Sequence, residues 1–252
     1  MHPAQIALRC LDLTSLKDDD TEATIEALAC RANTPHGAPA ALCVYTRFVR
    51  VALEALVAQD LAQVRVATVV SFPHGASSPD EVAREIDAAL AAGADEIDAV
   101  LPWRALRAAD PSTAVAFATR CRRECAGAAL KFILETGELR DPALIAQASR
   151  IALDAGADFL KTSTGKVSIN ATPEAVAVML DAIRATGARA GLKVAGGLAT
   201  LADVQGYVAQ AAAIYGEDRL SPDTLRFGAS SLLPVLLAAL DGASAPSAAT
   251  GY

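Results

Sequence analysis

The sequence predicts an α/β fold, a parallel (β/α)8 barrel of the TIM type. Three observations carry that prediction. Short apolar runs alternate eight times with amphipathic helical stretches over 252 residues, the rhythm of strand–helix units and not of hairpins. "AAGADEIDAVL" at 91–101 and "DAGADFLKTST" at 154–164 share Ala-Gly-Ala-Asp ahead of a strand, two units apart. No linker or composition shift divides the body, so residues 1–241 read as one domain. Residues 242–252 are a small-residue, flexible tail ending in Tyr252.

Each element has a local reason. Strands are expected at "IALRCL" (6–11), "ALCV" (41–44), "VRVATVV" (64–70) and "EIDAVL" (96–101). Four more follow at "ALKFILE" (129–135), "FLKT" (159–162), "GLKVA" (191–195) and "LRFG" (225–228). Each is short, apolar and too brief to be a helix. The intervening segments carry helix punctuation. "SPDEVAREIDAALAAG" opens on Ser78-Pro79 and closes at Gly93, and "DPALIAQASRIALDAG" opens on Asp141-Pro142 and closes at Gly156.

Composition removes several functional classes. The chain is 53% hydrophobic and 20% charged, with net charge −7, so it is globular and has no basic field for nucleic acid or an anionic membrane. A single phosphorylated metabolite needs only a local positive pocket. The longest apolar run, "LLPVLLAAL" at 232–240, is too short to span a bilayer, and "MHPAQIALRC" lacks the pattern of a signal peptide. Five cysteines at 10, 30, 43, 121 and 125 read as reduced thiols. The expected location is the cytoplasm.

Lysine usage is more informative. Only five of the 22 basic residues are lysine: Lys17, Lys131, Lys161, Lys166 and Lys193. Arginine is the default cation, so a retained lysine marks a place where an amine that can lose its proton matters. Strand side chains alternate between faces. Ile97, Ala99 and Leu101 suit the helix-covered outside, which turns Glu96, Asp98 and Val100 inward. The same parity turns Lys131, Ile133 and Glu135 inward, then Phe159, Lys161 and Ser163, then Gly191, Lys193 and Ala195.

Lys161 and Lys193 therefore face the interior from neighbouring strands, with Asp98 across from them. Two ammonium groups ~6 Å apart repel by roughly 3 kcal/mol at an effective dielectric of ~20. Burial adds to that effect. The pair can bring one amine toward neutrality at physiological pH, so Lys161 reads as a carbonyl nucleophile with Lys193 lowering its pKa. Lys131 reads instead as a structural partner of Glu96.

Three loop segments converge on a phosphate site. Ser163, Thr164, Gly165 and Lys166 follow the sixth strand, Gly196 and Gly197 the seventh, and Ser230 and Ser231 the eighth. Glycines let backbone N–H groups approach an anion, and later-strand loops of such barrels are usual phosphate sites. Cys43 reads as a small core residue and not a catalyst, and is retained as a substrate-contact candidate. His2, His36 and His74 show no metal-ligand spacing. No G-x-S-x-G elbow and no strand-following G-x-G-x-x-G occurs. No metal or cofactor is expected.

"LDLTSL" (11–16), "FPHGAS" (72–77), "EIDAVLPWRAL" (96–106), "LKFILETGEL" (130–139), "ADFLKTSTG" (157–165), "KVAGGLAT" (193–200) and "RFGASSLL" (226–233) resemble, in order, the motifs of deoxyribose-phosphate aldolases, class I aldolases. The resemblance implies reversible cleavage of 2-deoxy-D-ribose 5-phosphate to D-glyceraldehyde 3-phosphate and acetaldehyde. It implies that Lys161 is the Schiff-base lysine, Lys193 its neighbour and Asp98 the carboxylate that moves protons with a bound water. Asp12 and Thr14 match polar residues near the substrate. Lys166 with residues 196–197 and 230–231 matches the phosphate region, and Tyr252 the tail tyrosine of donor-carbon proton exchange. The partners implied are a sugar phosphate and an aldehyde, in a possible homodimer. Two positions depart from the pattern: Ala199 stands where relatives often carry Arg, and Ser71 where Asn is common. A barrel aldolase for another phosphorylated or unphosphorylated aldehyde, or a non-catalytic sugar-phosphate-binding barrel, are the alternative readings.

Overall fold

A computed structural model describes residues 2–125 and 127–242. Eight parallel strands close into a barrel in sequence order. They are β1 (Leu11–Thr14), β2 (Ala41–Val44), β3 (Arg65–Val70), β4 (Glu96–Val100), β5 (Ala129–Ile133), β6 (Phe159–Lys161), β7 (Gly191–Ala195) and β8 (Leu225–Ala229). The helices of the described residues run α1 (Pro3–Arg9), α2 (Glu22–Ala32), α3 (Val49–Ala58), α4 (Pro79–Ala91), α5 (Trp103–Arg107) and α6 (Pro111–Glu124). They continue as α7 (Thr136–Leu139), α8 (Pro142–Asp154), α9 (Pro173–Thr186), α10 (Leu201–Tyr215) and α11 (Leu232–Leu240). None is long and apolar enough to cross a membrane. The (β/α)8 expectation holds.

The first strand is a correction. The expected strand at 6–11 is mostly α1, and β1 begins only at Leu11. Pro3 stands in its first turn and His2 Nδ1 accepts from the Ala4 N–H at 3.2 Å, a sound helix start. Ala4, Ala7 and Leu8 are the buried positions, a three–four spacing that belongs to a helix and not to a strand. α1 packs on α10 and α11.

The repeated Ala-Gly-Ala-Asp does the same work twice. Gly93 and Gly156 take positive φ values of 100° and 90°, which end α4 and α8 at little steric cost. The aspartates that follow tie each unit to the preceding strand. Asp95 accepts the Val66 N–H and Asp158 the Leu130 N–H, both at 2.8 Å through Oδ2. Each aspartate's own N–H returns a bond to the carbonyl of that same residue, at 2.9 Å. Ser78 and Asp141 cap α4 and α8 as the sequence suggests.

Two cores result. The larger lies between barrel and helices and takes Ile97, Ala99, Phe132, Leu160, Leu192 and Val194. The smaller lies inside the barrel, where Leu16, Cys43, Ala67 and Val69 pack together. Buried charged side chains share that interior.

Candidate active site

Strand register decides who meets whom. Asp98 pairs with Lys131 across β4 and β5, Ile133 with Lys161 across β5 and β6, and Lys161 with Lys193 across β6 and β7. Directly paired residues project to the same face, so all the charged members point inward. Beyond the ladder Thr162 locks β6 to β7: its Oγ1 donates to the Ala195 carbonyl at 3.1 Å and accepts the Ala195 N–H at 3.0 Å.

Asp98 is the centre. Its Oδ1 accepts from Lys131 Nζ, and its Oδ2 from both Lys161 Nζ and Lys193 Nζ, each at 2.7 Å. Lys193 also pairs with Asp12 Oδ2 at 2.5 Å, and Lys131 with Glu96 Oε2 at 2.6 Å. Arg226 closes the set, reaching Asp12 Oδ1 at 2.7 Å and Glu96 Oε1 at 2.8 Å. Its guanidinium lies 5.4 Å from the Phe159 ring centroid, and its Nε donates to the Pro222 carbonyl. Gly228 leaves room for this arrangement. A Cβ there would sit 3.2 Å from Lys193 Cε and 3.1 Å from Ala195 Cβ.

The cluster holds four cations against three carboxylates: Lys131, Lys161, Lys193 and Arg226 facing Asp12, Glu96 and Asp98. Every cation but one touches two acids. Among the described residues Lys161 touches Asp98 alone. Burial opposes ionisation of all these groups. For Asp12 and Asp98 it is outweighed by the surrounding cations, which hold both carboxyls well below the usual range. For Lys193 burial is outweighed by Asp12 and Asp98, and for Lys131 by Asp98 and Glu96, so both amines are held above the ordinary lysine value. For Lys161 burial wins. Asp98 opposes it and Lys193 reinforces it, and the amine is pushed below the ordinary lysine value.

This refines the expectation from sequence. Lys193 does lower Lys161, but burial comes first and Asp98 stands between the two amines. Glu96 is the expected partner of Lys131, yet Asp98 is a second one. Arg226 was not anticipated. The signal was present in "LRFGA", where the parity of Leu225 and Phe227 turns residue 226 inward.

Glu135 departs from its expected place. β5 ends at Ile133, and Glu135 takes a left-handed backbone with φ 56°. Its buried carboxylate accepts the Thr164 N–H at 3.2 Å and the Thr164 hydroxyl at 2.6 Å. Thr164 Oγ1 in turn accepts the Lys166 N–H at 3.0 Å. Burial pushes the Glu135 carboxyl up, against the pull of Thr164 and Lys161.

A cavity of about 340 Å³ opens in front of Lys161, which alone of the cluster reaches its wall. Thr14, Thr164, Gly165, Lys166, Gly196, Ser230 and Ser231 share that wall. Gly196 has φ 81°, and a Cβ there would meet Asn170 Oδ1 at 2.4 Å. Asp12, Asp98 and Lys193 sit behind the wall. Cys43 is fully buried against Leu16, Ala67 and Val69, its thiol pushed up by burial, and neither it nor Gly197 lines the cavity. Tyr252 and residues 243–251 lie outside the described residues. Among those described, no group of three or more His, Cys, Asp or Glu side chains could hold a metal ion.

Known proteins share this barrel. A solved structure from Toxoplasma gondii ME49, provisionally named a deoxyribose-phosphate aldolase, is 26% identical with TM-score 0.86, over 96% of this chain and 95% of that one. A similarly named protein from Coccidioides immitis is 26% identical with TM-score 0.79, over 95% and 87%. Deoxyribose phosphate aldolase from Aeropyrum pernix, described as a unique tetramer, shares the fold at 24% identity and TM-score 0.74, over 94% and 92%. Residues 6–238 match the family described as DeoC/LacD family aldolase. The chain belongs to that family, and is a barrel lyase acting on small molecules.

Proposed function

We propose that the protein cleaves 2-deoxy-D-ribose 5-phosphate reversibly to D-glyceraldehyde 3-phosphate and acetaldehyde through a Schiff base on Lys161. One observation carries the reading. Of the buried charge cluster, the only member on the cavity wall is also the only one whose amine is pushed toward neutrality. A free amine facing a pocket attacks carbonyls.

The steps follow from that placement. Neutral Lys161 Nζ adds to the substrate aldehyde, and loss of water gives an iminium. The iminium accepts the electron pair of the breaking carbon–carbon bond and becomes an enamine. Asp98, 2.7 Å from Lys161 Nζ, is ionised before the reaction, stabilises the iminium charge and, through a bound water, accepts the hydroxyl proton as the bond breaks and D-glyceraldehyde 3-phosphate leaves, then returns it on enamine protonation. Lys193 holds Asp98 and keeps the amine from protonating. Protonation of the enamine carbon, with Tyr252 in the exchange, and hydrolysis release acetaldehyde. The later-strand wall, Gly165, Lys166, Gly196, Ser230 and Ser231, takes the phosphate, with Asp12 and Thr14 supporting the sugar end. Assembly as a homodimer belongs to the same reading, and light scattering measures it.

Borohydride reduction in the presence of acetaldehyde tests the assignment. Mass mapping is expected to find the ethyl adduct on Lys161. An adduct on another lysine, or none, overturns it. Turnover of 2-deoxyribose 5-phosphate against free 2-deoxyribose decides the substrate.

A further inference from the structure

The cavity before Lys161 has a second cationic wall that the loops after β6, β7 and β8 do not supply. Lys17, from the loop after β1, and Arg31, from the last turn of α2, both line it. They come from a different sector of the barrel than Lys166, which follows β6. All three side chains are exposed, and among the described residues none has an ion-pair or side-chain hydrogen-bond partner. Among the described residues no acidic side chain lines the cavity, although the chain as a whole is acidic at −7.

The local architecture presents this wall. Thr24, Ala27 and Leu28 line the cavity along with Arg31, at the spacing of one helix face. The acid nearest in sequence whose carboxylate reaches the Lys17 segment is turned to structure. Asp20 accepts the Ser15 hydroxyl at 2.8 and 2.9 Å and the Lys17 N–H at 2.9 Å. The loop is pinned while the Lys17 amine is left free. A cation in the last turn of α2 suits the helix dipole, but that accounts for the charge and not for its place on the cavity wall.

We propose that Lys17 and Arg31 are specificity-determining residues that hold the phosphate end of the substrate from the α2 side. They make the site selective for a phosphorylated over a neutral sugar. The inference rests on the aldolase reading above and deepens it.

The test is the ratio of kcat/KM for 2-deoxyribose 5-phosphate to that for 2-deoxyribose. In a Lys17→Gln, Arg31→Gln double variant the ratio is expected to fall about tenfold, the worth of two solvent-facing charge contacts. Charge-conserving Lys17→Arg and Arg31→Lys are expected to stay within about twofold of the parent ratio. Inorganic phosphate, as an inhibitor of free-sugar cleavage, is expected to weaken in parallel with the loss of charge. An unchanged ratio in the double variant, or an equal fall in the charge-conserving variants, overturns the assignment. Borohydride trapping of acetaldehyde on the unsubstituted protein reports separately on the Schiff-base reading. Intact trapping with an unchanged ratio removes the cationic wall alone.

Discussion

Lys161 and Lys193 donate to the same oxygen, Asp98 Oδ2, each at 2.7 Å. Their nitrogens therefore lie no further apart than twice that distance, and they compete for one acceptor. The competition is unequal. Lys193 has Asp12 as a second acid, and among the described residues Lys161 has none. The proton is most easily lost from Lys161, which is also the amine on the cavity wall.

Lys161→Met is expected to lower turnover by more than about 10³-fold, as removal of a covalent nucleophile does, and to abolish borohydride trapping. It also takes one cation from a cluster with an excess of them. Stability should rise by about 1 kcal/mol, or roughly 2–4 °C in Tm for a chain of this size. Calorimetry on the variant checks this, and a fall in Tm contradicts the charge count.

Lys193→Met removes the cation that helps keep Lys161 neutral. The Lys161 amine then titrates higher, so the acid limb of the kcat/KM profile moves to more alkaline pH. Asp12 also loses a partner, and stability is expected to drop by about 3–5 kcal/mol, as when one member of a buried pair is removed. An unmoved acid limb excludes the proposed coupling.

Asp12, Glu96 and Asp98 all have carboxyls held below their ordinary values in the folded protein. The unfolded chain therefore takes up protons first as pH falls. The stability these groups contribute is complete above the unfolded carboxyl range, near ~4, and is lost as pH drops toward the folded values. Urea titrations are expected to show constant stability from pH 7 to about 5 and a steep decline below about 4. Asp98→Asn should be less stable at neutral pH and show a shallower acid decline.

Glu135→Gln leaves one acceptor oxygen where Thr164 uses two. The amide either faces the Thr164 N–H or forces its hydroxyl to turn, and the Lys166 N–H then loses its acceptor geometry. A cost of about 1–2 kcal/mol is expected. KM for the phosphorylated sugar should rise more than kcat falls, because the carboxylate orders a loop and touches no reacting atom. An equal loss in kcat and kcat/KM, with KM unchanged, assigns Glu135 to the chemistry instead.

Much of this site was legible in the residues. Parity along "FLKTSTG" and "GLKVA" turned Lys161 and Lys193 inward, and parity along "EIDAV" turned Asp98 to meet them. The same rule reaches Arg226, once the outward Leu225 and Phe227 are counted. It fails at Glu135, because alternation holds only while the backbone stays extended, and the chain enters a left-handed turn there. It also fails at 6–11, where the three–four spacing of Ala4, Ala7 and Leu8 belongs to a helix and not to a strand.

The amino-acid sequence by itself determined the alternation of strands and helices, the caps that bound them and the side of each strand a residue occupies. These depend on neighbours a few positions away. The choice of partner was decided only by the closed barrel, which brings Asp98 to Lys131 across 33 positions and Asp12 to Arg226 across 214. Which amine sheds its proton was decided there too. Ionisation depends on burial and on every charge within reach, and those are set by where all eight strands end up.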